Sequence, residues 1–109
     1  MREALKEARR SFEEGDVPVG AVIVHEKKII ARAHNQVELL TDPTAHAEIL
    51  AITQASAALN TKWLHKATVY VTLEPCAMCT GAFILARVPT VLYAAPDPKS
   101  GACGSVFNI

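Results

Sequence analysis

Residues 67–79 read ATVYVTLEPCAMC, and this stretch decides the fold. Ala67 to Leu73 is a near-continuous run of β-branched and apolar residues, the pattern of a buried strand. Glu74 and Pro75 interrupt it, and proline suits the first turn of a helix, so a helix is predicted from Cys76 to about Arg87. A further β-rich run lies at Thr90 to Ala94. Strand, helix, strand in that order favours a crossover connection with helices packed on a sheet.

Working outward, Arg2 to Glu14 places apolar Ala4, Leu5, Ala8 and Phe12 among charges, an amphipathic helix stopped at Gly15. Val19 to His25 and Ile29 to Asn35 are β-branched runs joined by Glu26-Lys27-Lys28, which reads as a hairpin. Asp42-Pro43-Thr44 is a helix start signal, and the helix continues to about Leu59. Ala95 to Ser105 is rich in glycine, proline and serine and reads as a loop. The fold class is therefore α/β, a three-layer α/β/α sandwich around a mixed β-sheet.

At 109 residues a single domain spanning 1–109 is expected. Half of the residues are hydrophobic and mean hydropathy is +0.19, which excludes a disordered or coiled-coil chain. Apolar runs such as Val19 to Val24 are too short to span a bilayer, and Met1 to Glu14 is charged throughout, so no membrane association is expected. Three cysteines, two of them spaced C-x-x-C, fit the reducing cytoplasm better than a disulfide framework. Eleven basic and eleven acidic residues cancel, so net charge lends nucleic-acid binding no support.

The chemistry lies at two helix starts. Thr44-Ala45-His46-Ala47-Glu48 is one; Glu74-Pro75-Cys76-Ala77-Met78-Cys79 is the other. Each alone is weak: His46 could be structural, Glu48 a first-turn glutamate, and the C-x-x-C a redox pair, half a structural zinc site or inert thiols. Together they are stronger. Cys76 and Cys79 are three apart and share a helix face. His46 and Glu48 are about 200° apart around a helix axis, so both reach a point off its N-terminal end. His46, Cys76 and Cys79 make three ligands with no convincing fourth. That count leaves a position for water, as in a catalytic rather than a structural zinc. Glu48 is then the proton carrier.

The pattern H-x-E followed by P-C-x-x-C resembles the zinc-dependent nucleobase and nucleoside deaminases, for which that motif is a general signature. Asp16 to Val22, Ala33-His34-Asn35, Asp42 to Ile49, Val71 to Cys76 and Asp97 to Gly101 look like the branch of tRNA-specific adenosine deaminases. The resemblance implies a cytidine deaminase-like fold and one Zn2+ per chain. It implies hydrolytic deamination of adenosine to inosine at the wobble position of a tRNA anticodon loop, by a homodimer. It also implies that the Ala47 N–H and the Asn35 side chain hold base or ribose, and that Asp97 meets the sugar. Asn35 as a turn former and Asp97 as a loop former stay open. Family members continue with a further strand and a charged helix, so a C-terminal truncation is expected, with Gly104 to Ile109 beginning that helix. The rival readings are a deaminase of a free base or nucleoside, of guanine or cytosine type, a non-catalytic zinc-binding partner subunit, and a thiol redox protein.

Overall fold

Four strands in the order β2-β1-β3-β4 form the sheet of this computed structural model, which describes residues 1–104. They are β1 (Gly20–His25), β2 (Lys28–His34), β3 (Ala67–Leu73) and β4 (Thr90–Ala95). β1 runs antiparallel to β2 and β3, whereas β3 and β4 are parallel, so the sheet is mixed. The β1–β2 turn places Glu26 and Lys27 at φ 50° and 66°. Two successive positive φ values suit the right-handed twist of a two-residue hairpin turn. The register slips by one residue between Ile23 and Val24.

Side chains alternate across a strand, and β1 shows what each face buries. Ala21 and Ile23 join Val69 and Val71 of β3 in the main core. α3 (Ala47–Leu59) supplies Ala47, Ala51 and Ala55 to that core, and α4 (Ala77–Leu85) supplies Phe83. The small alanines let α3 lie close to the sheet. α1 (Arg2–Glu13) covers the opposite face, where a Cβ on Gly20 would sit 2.0 Å from the Ala4 carbonyl oxygen and 2.5 Å from the Ala8 nitrogen. Glycine is thus required by the helix approach, and three layers result.

Two local expectations shift. On α1 the buried set is Ala4, Glu7, Ala8 and Ser11, while Leu5 and Phe12 are exposed. The inner face of this helix is partly polar because it must meet the polar end of β2. Asp42-Pro43-Thr44 does not open the helix. Asp42 Oδ1 accepts hydrogen bonds from the Thr44 N–H at 2.8 Å and the Thr44 hydroxyl at 2.7 Å, closing a turn, and α3 begins at Ala47. A one-turn helix, α2 (Val37–Leu40), precedes that turn. The expected helical start at Gly104 to Ile109 falls outside the described residues beyond Gly104.

Candidate metal centre

His46 is the N-cap of α3 and Cys76 the N-cap of α4, each with extended backbone dihedrals. Both helices therefore direct their unsatisfied N–H groups, and the positive ends of their dipoles, toward one place. β3 delivers Cys76 by way of Glu74 and Pro75, and the first turn of α4 carries Cys79 in beside it. His46 Nδ1 lies 3.7 Å from Cys76 Sγ and 3.5 Å from Cys79 Sγ. The three donor atoms all fall within 4.8 Å of one another, the one such group among the described residues. A tetrahedral ion with Zn–S of about 2.3 Å and Zn–N of about 2.0–2.1 Å has N···S edges of roughly 3.6 Å. The spacing found is that edge. These residues fit a metal ion.

Burial adds an electrostatic reason for a cation there. Cys79 is fully buried, and burial, followed by the nearby Glu48 and Cys76, drives its thiol far above the ordinary range. Glu48 is 4 % exposed, and burial raises its carboxyl while its own backbone N–H, His46 and Cys79 pull less strongly the other way. A buried thiol and a buried carboxyl side by side each favour the protonated form, and a bound cation inverts that preference.

Glu48, His46, Cys76, Asn35 and Asp97 line one hollow of about 360 Å³. The two groups expected to hold substrate separately are bonded to each other: the Ala47 N–H donates to Asn35 Oδ1 at 2.7 Å. That contact orients the amide. Asn35 is fixed at its backbone too, its carbonyl accepting from the buried Ser11 hydroxyl at 2.7 Å and its N–H donating to the Val19 carbonyl at 3.1 Å. Asp97 shapes its own turn, Oδ1 accepting from the N–H groups of Lys99 and Ser100 and Oδ2 from the Ser100 hydroxyl. These bonds hold its carboxyl below the usual range.

Two groups escaped the sequence reading. Glu74 is 2 % exposed and accepts hydrogen bonds from the N–H groups of Asp97, at 3.1 Å, and Cys103, at 2.8 Å. It pins the 95–103 loop over the hollow, and a Cβ on Gly101 would stand 2.5 Å from its Cδ. His34, also buried, lies between Glu7 at 3.0 Å and Glu14 at 2.9 Å, clamping α1 to the end of β2. A glutamate directly before Pro75 and Cys76 was a signal for the first. Nothing in the spacing of residues 7, 14 and 34 signals the second.

A family model described as MafB19-like deaminase matches residues 1–108. A tRNA-specific adenosine deaminase of Aquifex aeolicus is 57% identical over 109 residues, covering all of this chain and 72% of that protein. One of Bacillus subtilis is 52% identical, with 68% of its length covered. Among solved structures, one from a study of A-to-I editing by tRNA:A34 deaminases at the wobble position of transfer RNA superposes with a TM-score of 0.94 at 48% identity. It covers 96% of this chain and 81% of that one. A guanine deaminase of Bacillus subtilis reaches 0.86 at 39% identity, over 95% of this chain and 67% of its own.

Proposed function

The chain belongs to the MafB19-like deaminases and to the family of tRNA-specific adenosine deaminases, and from that premise we propose that it hydrolyses adenosine to inosine at the wobble position of a tRNA anticodon. In this reaction the bond from C6 to the amino nitrogen breaks, a C6–O bond forms from water, and ammonia leaves. The observation that carries the reading is the meeting of three donor atoms within 4.8 Å beside the buried carboxylate of Glu48.

His46, Cys76 and Cys79 would hold a zinc ion, which when bound supplies a Lewis acid that makes water nucleophilic at neutral pH. Glu48 does the proton work. Its carboxylate takes a proton from the attacking water, delivers it to the ring nitrogen beside C6, and passes another to the departing amine. The burial that raises its carboxyl favours a group able to hold a proton between those events. Because Asn35 Oδ1 is engaged by Ala47, the side-chain Nδ2 remains to donate into the hollow, to a base nitrogen or a ribose oxygen. Asp97 Oδ2 accepts from Ser100 and keeps a lone pair for a ribose hydroxyl. Exposed Ile84, Leu85 and Leu92 support the expected association of two copies.

Glu48→Gln tests the assignment. Turnover should fall by about 10²–10⁴-fold, with metal content and melting temperature unchanged. Undiminished turnover would refute the role given to Glu48. The likeness to a guanine deaminase favours a second reading, deamination of a free purine. Parallel assays on tRNA, adenosine and guanine separate the two: a higher kcat/KM on guanine would replace the first reading with the second.

A further inference from the structure

Acid lines the candidate site. Asp16, Glu38, Glu48, Glu74 and Asp97 all border the hollow, and among the described residues no lysine or arginine does. Such a mouth suits a metal cation and an uncharged base. It repels the phosphates that flank every base in RNA. A polyanionic substrate therefore needs cations elsewhere on the molecule.

Those cations gather at the other end of the sheet. His25 pairs with Lys28 and Ala67 there, while Gly20, His34 and Leu73 mark the site end. Lys27 and Lys28 lie at the β1–β2 turn, Lys66 immediately precedes β3, and Lys62 and Arg87 flank Trp63. The Lys62 ammonium is 4.9 Å and the Arg87 guanidinium carbon 5.5 Å from the centre of the indole, and the His65 ring stacks on Trp63 at 6.0 Å. All five cations are exposed, and among the described residues none forms an ion pair with a carboxylate. On the α1 side, by contrast, Lys6 and Arg32 meet Glu3, and Arg10 meets Glu7. Five of the eleven lysines and arginines thus occupy this end, where Glu26 lines a second, shallow hollow with His25, Trp63, His65 and Lys66.

We propose that this hairpin-end face, centred on Trp63, binds the sugar–phosphate backbone of the RNA whose loop enters the candidate site. The proposal rests on the tRNA deaminase reading and adds a second contact surface to it. The indole holds two cations against its ring, which reduces the freedom they lose when a phosphate arrives. Unpaired cations have no carboxylate to surrender, so each phosphate contact releases counterions from the RNA with little opposing cost. The two ends are about 17 Å apart along β1, five residue steps at 3.4 Å, a span an RNA stem and loop can bridge.

The test combines Lys62→Gln, Lys66→Gln and Arg87→Gln in one variant, with Arg2→Gln, Lys6→Gln and Arg9→Gln on α1 as a control of equal charge change. KM for tRNA should rise about tenfold in the first variant, with kcat unchanged, and the slope of log affinity against log salt should fall by about 3. The control should change both much less. Equal losses in the two variants would make the effect one of net charge and overturn the proposal. An unchanged slope in a folded first variant would also overturn it, as would a change in sedimentation without a change in slope, which would assign the face to an interface between copies. Failure of the unaltered protein to bind or deaminate any tRNA would remove the underlying reading instead, and the proposal with it.

Discussion

The two ends of the sheet hold similar numbers of ionisable groups and treat them in opposite ways. At the site end Glu48 and Glu74 are buried, and Glu74 and Asp97 accept hydrogen bonds from backbone N–H groups. At the hairpin end Lys27, Lys28, Lys62, Lys66 and Arg87 stand in solvent without carboxylate partners among the described residues. The difference follows from the work each end can do. Proton transfer needs charges desolvated and fixed before the substrate arrives, so that none must reorganise during reaction. Attraction of a polyanion needs accessible charge of one sign, and burial would waste it. A net charge of zero conceals the division.

The contrast breaks hardest at the sulfur. Cys79→Ala should reduce bound metal well below one ion per chain and abolish turnover, while salt-dependent tRNA binding persists. Parallel loss of binding would show the two ends to be one site. Metal analysis beside a filter-binding titration measures both. Next in size is Ser11→Ala, which leaves the Asn35 carbonyl without its buried donor. Urea unfolding should register a loss of about 1–3 kcal/mol, and KM should rise with the loosened asparagine. An unchanged KM would detach Ser11 from the positioning of Asn35.

The smallest effect concerns the Asp42 turn, between α2 and α3. The Thr44 hydroxyl and then its N–H hold the Asp42 carboxyl below its ordinary range. A carboxyl depressed in the folded state stabilises fully above its unfolded pKa, and the contribution is lost as pH falls through the folded value. The melting temperature of Asp42→Ala should therefore lie slightly below that of the unaltered protein near neutrality, and the gap should close in acid. A gap that widened in acid would reverse the sign.

The segments with one consistent period were legible without coordinates. β3 was bounded at Ala67 and Leu73 as observed, and β4 differed by one residue at its end. α1 was legible as a helix but not in its inner face, because Glu7 and Ser11 are buried through partners 27 and 24 residues away in sequence, respectively. Asp42-Pro43-Thr44 carries the same residues whether it caps a helix or closes a turn, and only the short helix before it decides which. The two cations on Trp63 could not be read together, because Arg87 is distant along the chain from Lys62.

Taken alone, the order of residues determined the α/β class and marked His46, Glu48, Cys76 and Cys79 as candidates for one centre. Residue type, helical spacing and the chemistry of sulfur and imidazole are local properties, readable over a few positions. The tertiary structure decided which hydrogen bond each polar group spends and which it keeps, as with Asn35 and Ala47. It also decided how a neutral composition divides into an acidic pocket and a basic face. Both depend on the spatial arrangement of groups far apart in sequence, because electrostatic and hydrogen-bond energies are set by distance, orientation and the local dielectric.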